Sequence, residues 1–98
     1  MNPNLMRQAR ELEAKLAKAQ QELEKATVEA SAGGGAVKIV ITGQQKILKV
    51  SISPEAVDPT AVDLLEDLVL TAVNEAIARS QELAKNKLSS VTGLRLPF

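Results

Sequence analysis

Leucine and alanine recur along the first thirty residues at alternating spacings of four and three: Leu5, Ala9, Leu12, Leu16, Ala19, Leu23, Ala26 and Ala30. This is the heptad rhythm of a helix that lays one narrow apolar stripe on a partner. The rest of the chain is too small to give such a helix a deep core of its own. A chain of 98 residues hides only about 60–65% of its unfolded surface. Its one aromatic is Phe98, so the core must be Leu, Ile, Val and Ala. A thin core of that kind favours self-association, with helices projecting from a compact centre. One domain spanning residues 1–98 is predicted.

Residues 4–25 read as the first helix, about 33 Å long. They are filled with Ala, Leu, Glu, Gln, Lys and Arg, all good helix formers. Asn2 suits the cap and Pro3 the first turn, where a missing N–H costs nothing. The end of this helix is open, because the heptad runs on to Ala30 while Thr27 and Val28 favour a strand. Gly33, Gly34 and Gly35 break any regular element. The period then switches to two. Val37, Ile39 and Ile41 alternate with Lys38, Val40 and Thr42, and Gly43-Gln44-Gln45 makes a turn. Leu48, Val50 and Ile52 follow on one face, with Ile47, Lys49 and Ser51 on the other. Such a hairpin is marginal alone, and a third strand at Thr27 to Ala32 would support it. Pro54 ends the sheet. Asp58-Pro59 has the form of a helix cap, and a second helix is predicted over 60–88 with Leu65, Leu68, Val69, Ala72, Val73, Ala76 and Ile77 as its apolar face. Residues 93–98 read as a tail in which Leu94, Leu96 and Phe98 alternate.

Chemistry is sparse. The chain has no cysteine and no histidine, which removes disulfides, thiolate metal sites and the usual acid–base residue. Ser80, Ser89 and Ser90 therefore lack an activating histidine. The glycine triplet lacks the Lys-Ser or Lys-Thr and the following helix of a phosphate loop. The acids are spaced as solvated helix faces. No catalytic residue, metal, cofactor or small-molecule substrate is expected, and the chain is not read as an enzyme. No segment approaches the ~20 apolar residues that cross a bilayer, and no secretory leader is evident, so a cytoplasmic location without membrane contact is expected.

Twelve basic residues balance twelve acidic ones, but unevenly. Residues 1–30 carry five of each. The stretch 36–52 has only Lys38, Lys46 and Lys49, while 54–70 has only Glu55, Asp58, Asp63, Glu66 and Asp67. The stretch 79–95 has Arg79, Lys85, Lys87 and Arg95 against Glu82 alone. If DNA is the ligand, charge and geometry select Arg7, Arg10, Lys15, Lys18, Arg79, Lys85 and Lys87 as contacts to phosphate rather than to bases. No helix-turn-helix, zinc-finger or zipper basic region is present to read a sequence. Val40 and Ile47, with Leu65, Leu68, Val69, Ala72 and Ala76, are the expected contacts between two copies.

The ordered set Asn4-Leu5-Met6-Arg7-Gln8-Ala9, Gly33-Gly34-Gly35-Ala36-Val37-Lys38-Ile39, the Gly43 turn, Ile52 and Pro54, Glu66-Asp67-Leu68-Val69, Ala72, Asn74, Ala76 and Leu96-Pro97 resembles the YbaB/EbfC family of nucleoid-associated proteins. The likeness covers nearly the whole chain. It departs from some relatives in lacking a methionine-rich first helix and a glycine-rich leader, and it is less basic than a typical DNA compactor. The resemblance implies an α+β fold with a long N-terminal helix, a small three-stranded antiparallel sheet over 27–52 and a long C-terminal helix. It also implies a tweezer-like homodimer built largely around the sheet, and binding of double-stranded DNA with little sequence preference at the nucleoid. The alternative expectation is a protein-interaction module with little DNA affinity.

Overall fold

A computed structural model of the chain describes residues 2–92; the predicted tail 93–98, with Arg95, lies outside the described residues. The elements run α1 (Pro3–Lys25), β1 (Thr27–Ala32), β2 (Val37–Thr42), β3 (Ile47–Ile52), a short 3-10 turn (Pro54–Ala56) and α2 (Val62–Thr92). This is the α+β order of helix, three-stranded antiparallel sheet and helix, with strand order β1-β2-β3.

The ends of α1 follow local chemistry. The Asn2 side chain accepts the Asn4 N–H at 2.9 Å, and Pro3 opens the first turn. At the other end the backbone of Ala26 is extended, so the helix stops at Lys25. The heptad beyond that point is therefore not helical: Ala26 is the cap, and Ala30 is buried in β1. The β-branched pair Thr27 and Val28 outweighs the alanine spacing. Gly33, Gly34 and Gly35 all take positive φ in the β1–β2 turn, the region that a side chain resists.

α2 lies across β1 and β2 and barely touches β3. Ala72 and Ala76 meet Ala30, Ala32, Val37, Ile39 and Ile41 in one buried cluster, flanked by Val28, Leu65, Leu68, Val69, Val73 and Ile77. The small side chains let helix and sheet approach closely, and the branched ones on β2 fill the gap. α2 starts two residues later than expected. The Asp58 carboxylate accepts from the Thr60 N–H and hydroxyl, and Ala61 N–H bonds back to the Asp58 carbonyl. Asp58 thus caps a separate turn, and its hydrogen bonds to the Thr60 backbone and side chain hold its carboxyl below the usual value. At the far end Ser89 and Ser90 do not stop the helix, because the Ser90 hydroxyl donates to the Lys87 carbonyl within the helical turn.

The register of the sheet contains one irregularity. Val37 faces Ile52, Ile39 faces Val50 and Val40 faces Lys49, but Ile41 faces Ile47. Leu48 is the extra residue of a bulge. Direct partners share a face, so Ile47 sits on the side of Ile41 rather than opposite to it, contrary to the strict alternation expected from the sequence.

The molecule is long. It measures 69 × 24 × 17 Å with a radius of gyration of 18.8 Å, against about 13 Å for a compact chain of this length. The excess comes from the helices. α1 packs antiparallel on the end of α2 through its C-terminal half, where Ala19 and Leu23 are buried, while residues 2–15 are exposed throughout.

Candidate nucleic-acid interface

The junction between the helices and the sheet is a single turn. Ala72, Ala76 and Ser80 lie four residues apart on one stripe of α2, and the last of them carries a hydroxyl instead of a methyl. Ser80 is fully buried. Its hydroxyl donates to the Thr42 carbonyl at 2.7 Å and accepts the Gln45 N–H at 3.1 Å. The Thr42 hydroxyl accepts from the N–H groups of Gln44 and Lys46, both at 3.2 Å. The Gln44 side-chain amide donates to the Gln20 carbonyl at 2.9 Å. Gly43 N–H reaches the Leu23 and Ala26 carbonyls at 3.0 and 3.1 Å. A Cβ on Gly43 would stand 2.6 Å from a Leu23 methyl and 3.0 Å from its carbonyl oxygen, so only glycine fits. Both helices are thus fastened to the β2–β3 turn. In the sequence Ser80 stands out only as a serine with no activating histidine; its place at the end of an alanine stripe is the signal that marks it as structural.

Beyond that junction the expected phosphate-contacting residues separate into groups. Arg7 and Arg10 stand on the exposed first half of α1. Lys15 and Lys18 converge with Lys87 of α2 on one cleft of about 330 Å³, which Ala19, Glu22, Ser90 and Val91 complete. Lys15, Lys18 and Glu22 follow the i, i+3, i+7 spacing of a single helix face. Within the cleft Lys87 forms an ion pair with Glu22, and both side chains are partly exposed. The hydrogen bond from Lys87 lowers the Glu22 carboxyl below its usual value, against the opposing effect of burial and with lesser help from the charges of Lys87 and Lys18.

Arg79 belongs elsewhere. Its Nε pairs with Glu75 one turn earlier at 3.1 Å, and its Nη1 donates to the Glu29 carbonyl on β1 at 2.8 Å. It lines a separate hollow with Val28, Leu83 and Asn86. Lys85 lines a third, with Ala78, Gln81 and Glu82. Among the described residues no group of three His, Cys, Asp or Glu side chains could hold a metal ion. No described helix is long and apolar enough to cross a membrane.

The expected contacts between copies are distributed differently from the free apolar surface. Ala72 and Ala76 are fully covered inside one protomer, and Leu65, Leu68 and Val69 pack against that same core. Val40 is half-buried on the polar face of the sheet. Ile47 is exposed, and so are Leu48, Val50 and Ile52 along β3 and Val57, Val62, Leu64 and Leu70 beyond it. The apolar surface that one copy leaves uncovered therefore includes β3 with the approach to α2 and its first turns, besides Leu5, Met6 and Leu12 on α1.

The architecture is a small α+β protomer with two helices extending from one end of a sheet and lysines gathered where those helices pack together. Residues 1–94 match the YbaB/EbfC DNA-binding family, and the chain belongs to it. It is 50% identical over 90 residues to a nucleoid-associated protein of Ruminiclostridium cellulolyticum, covering 92% of this chain and 78% of that one. A nucleoid-associated protein of Moorella thermoacetica is 47% identical over 94 residues, with 95% and 90% of the two chains covered. In architecture the chain is similar to the crystal structure of an uncharacterized protein from Helicobacter pylori, with a TM-score of 0.81 over 95% of this chain and 99% of that one. Their sequence identity is 15%, so that likeness speaks for the fold alone.

Proposed function

We propose that the chain is a single-domain nucleoid-associated protein of the cytoplasm that binds double-stranded DNA, with little sequence preference, as a homodimer. The observation that carries this reading is the convergence of Lys15, Lys18 and Lys87 at the crossing of two exposed helices. Ammonium groups in that arrangement meet phosphates and carry no base-specific geometry. Arg7 and Arg10 extend the basic track along α1. Membership of a DNA-binding family and likeness to nucleoid-associated relatives support the same ligand. The second copy accounts for β3: an antiparallel edge strand with Ile47, Leu48, Val50 and Ile52 exposed invites coverage. Two symmetric pairs of arms then gain from effective concentration on one duplex.

Duplex DNA binding measured across a range of salt concentrations tests this reading. The native chain gives a negative log–log salt slope on unrelated sequences. In a Lys15→Gln/Lys18→Gln/Lys87→Gln variant the slope shrinks by up to about three, one per lost phosphate contact. Sedimentation gives twice the chain mass. A flat slope, or no binding in low salt, transfers the reading to a protein-interaction module, for which the exposed Leu5 and Leu12 of α1 are the natural contact.

A further inference from the structure

Resting on the DNA-binding reading above, we propose that Glu22 is an internal competitor for the DNA phosphate, holding Lys87 back from the ligand and setting the affinity of the arms below what their lysines allow. Three ammonium groups reach the α1–α2 cleft, and one carboxylate stands among them. Lys15 and Lys18 have no ion-pair partner among the described residues. Lys87 has one, and it comes from the opposite helix, so the pair spans the mouth of the cleft instead of lying along one side.

A phosphate entering this cleft meets two obstacles that sequence counting hides. The Glu22 carboxylate repels it, and Lys87 must exchange its carboxylate for the phosphate. Because both partners are partly exposed, the exchange costs little; the ion pair tunes binding without blocking it. Arg79 illustrates the contrasting case. Its guanidinium pairs with Glu75 on its own helix and also donates to a β1 carbonyl, so it has a second partner that Lys87 lacks among the described residues. The direction of the effect on Lys87 is opposite to the usual outcome of mutating a binding cleft: removing a side chain that lines it tightens binding.

The test measures binding of a duplex of unrelated sequence, over several salt concentrations, by the native chain, Glu22→Gln, Lys87→Gln, the double variant and Glu24→Gln. Glu24 is exposed, is two residues away on α1 and lacks a salt bridge among the described residues, so its variant removes the same charge without touching Lys87. Glu22→Gln is expected to bind about three- to tenfold more tightly at low salt, with a log–log slope steeper by up to about one. In the Lys87→Gln background that gain shrinks to the part that direct repulsion by the cleft carboxylate supplies, since the remainder runs through the pair. A gain from Glu22→Gln no larger than that from Glu24→Gln, or one fully retained without Lys87, overturns the proposal while leaving DNA binding intact. Absence of salt-dependent binding by the native chain overturns the DNA reading itself, and this inference with it.

Discussion

β2 and β3 are neighbours in one sheet, each six residues long and each written with branched apolar residues at alternate positions, yet they end up in opposite environments. On β2, Val37, Ile39 and Ile41 have no solvent-exposed surface; on β3, directly across the ladder, Val50 keeps 50% and Ile52 42% of theirs. α2 covers one strand and stops short of the next. A two-residue period tells which face of a strand is apolar. It says nothing about whether the same molecule supplies the cover. The first helix repeats the lesson along its length, with Ala19 and Leu23 buried and Leu5 and Leu12 exposed on one continuous seam.

The sharpest way to break the comparison is to make the same change on both sides of one rung. Ile39 and Val50 are direct partners. Ile39→Ala opens a cavity under α2 and is expected to cost about 2–5 kcal/mol, seen as a fall in thermal midpoint that does not depend on protein concentration. Val50→Ala costs far less in the isolated protomer. Val50→Asp keeps the helical circular-dichroism signal and lowers the sedimenting mass to that of one chain; an unchanged mass would remove β3 from the contact between copies. A smaller effect is expected at the turn that joins the two strands. Ser80→Ala removes one of two acceptors of the Gln45 N–H, which keeps the Thr42 carbonyl, and one of two donors to that carbonyl, and should lower stability by about 0.5–1.5 kcal/mol in denaturant titrations. A change within error would place that turn with the open strand rather than the covered one.

The smallest effect belongs to the exposed pair on the arms. Glu22 has its folded carboxyl pKa lowered by Lys87, so its contribution is present above the ordinary carboxylate value and is lost as pH falls through the lowered one. The native chain should therefore melt slightly above Glu22→Gln at neutral pH, and the difference should vanish in strong acid. A gap that persists or widens in acid would contradict the ion pair as its source.

Much of this was legible in the residues themselves. Asn2 and Pro3 start α1, the glycine triplet turns the chain, and the alternation from Val37 to Thr42 marks a strand with one apolar face. Each of these is a local rule, and local rules read directly from sequence. What escaped depends on pairs of residues far apart in the chain. The bulge at Leu48 appears only against β2, and it moves Ile47 to the other face. Ser80 takes its meaning from Thr42, 38 residues away. The tie between Glu22 and Lys87 follows from the antiparallel docking of α1 on α2, which no spacing along either helix displays. Ala72 and Ala76 look like contact positions for a second copy because small residues permit close approach; here the chain's own sheet makes the approach. Asp58-Pro59 does not open α2, because the aspartate serves a turn of its own before that helix begins.

The turn at residues 42–46 has a mechanical consequence. Hydrogen bonds from it reach both α1 and α2, so it stands where a pivot between them would lie, with α1 as the limb that extends further from it. A tilt of only about five degrees at this pivot swings the far tip by about 3 Å, given a helix of 23 residues rising about 1.5 Å for each. That travel is comparable to the spacing of successive base pairs. The reach of the limbs would then be set by a handful of backbone amides and one serine hydroxyl, next to the cleft in sequence but not among the side chains that line it.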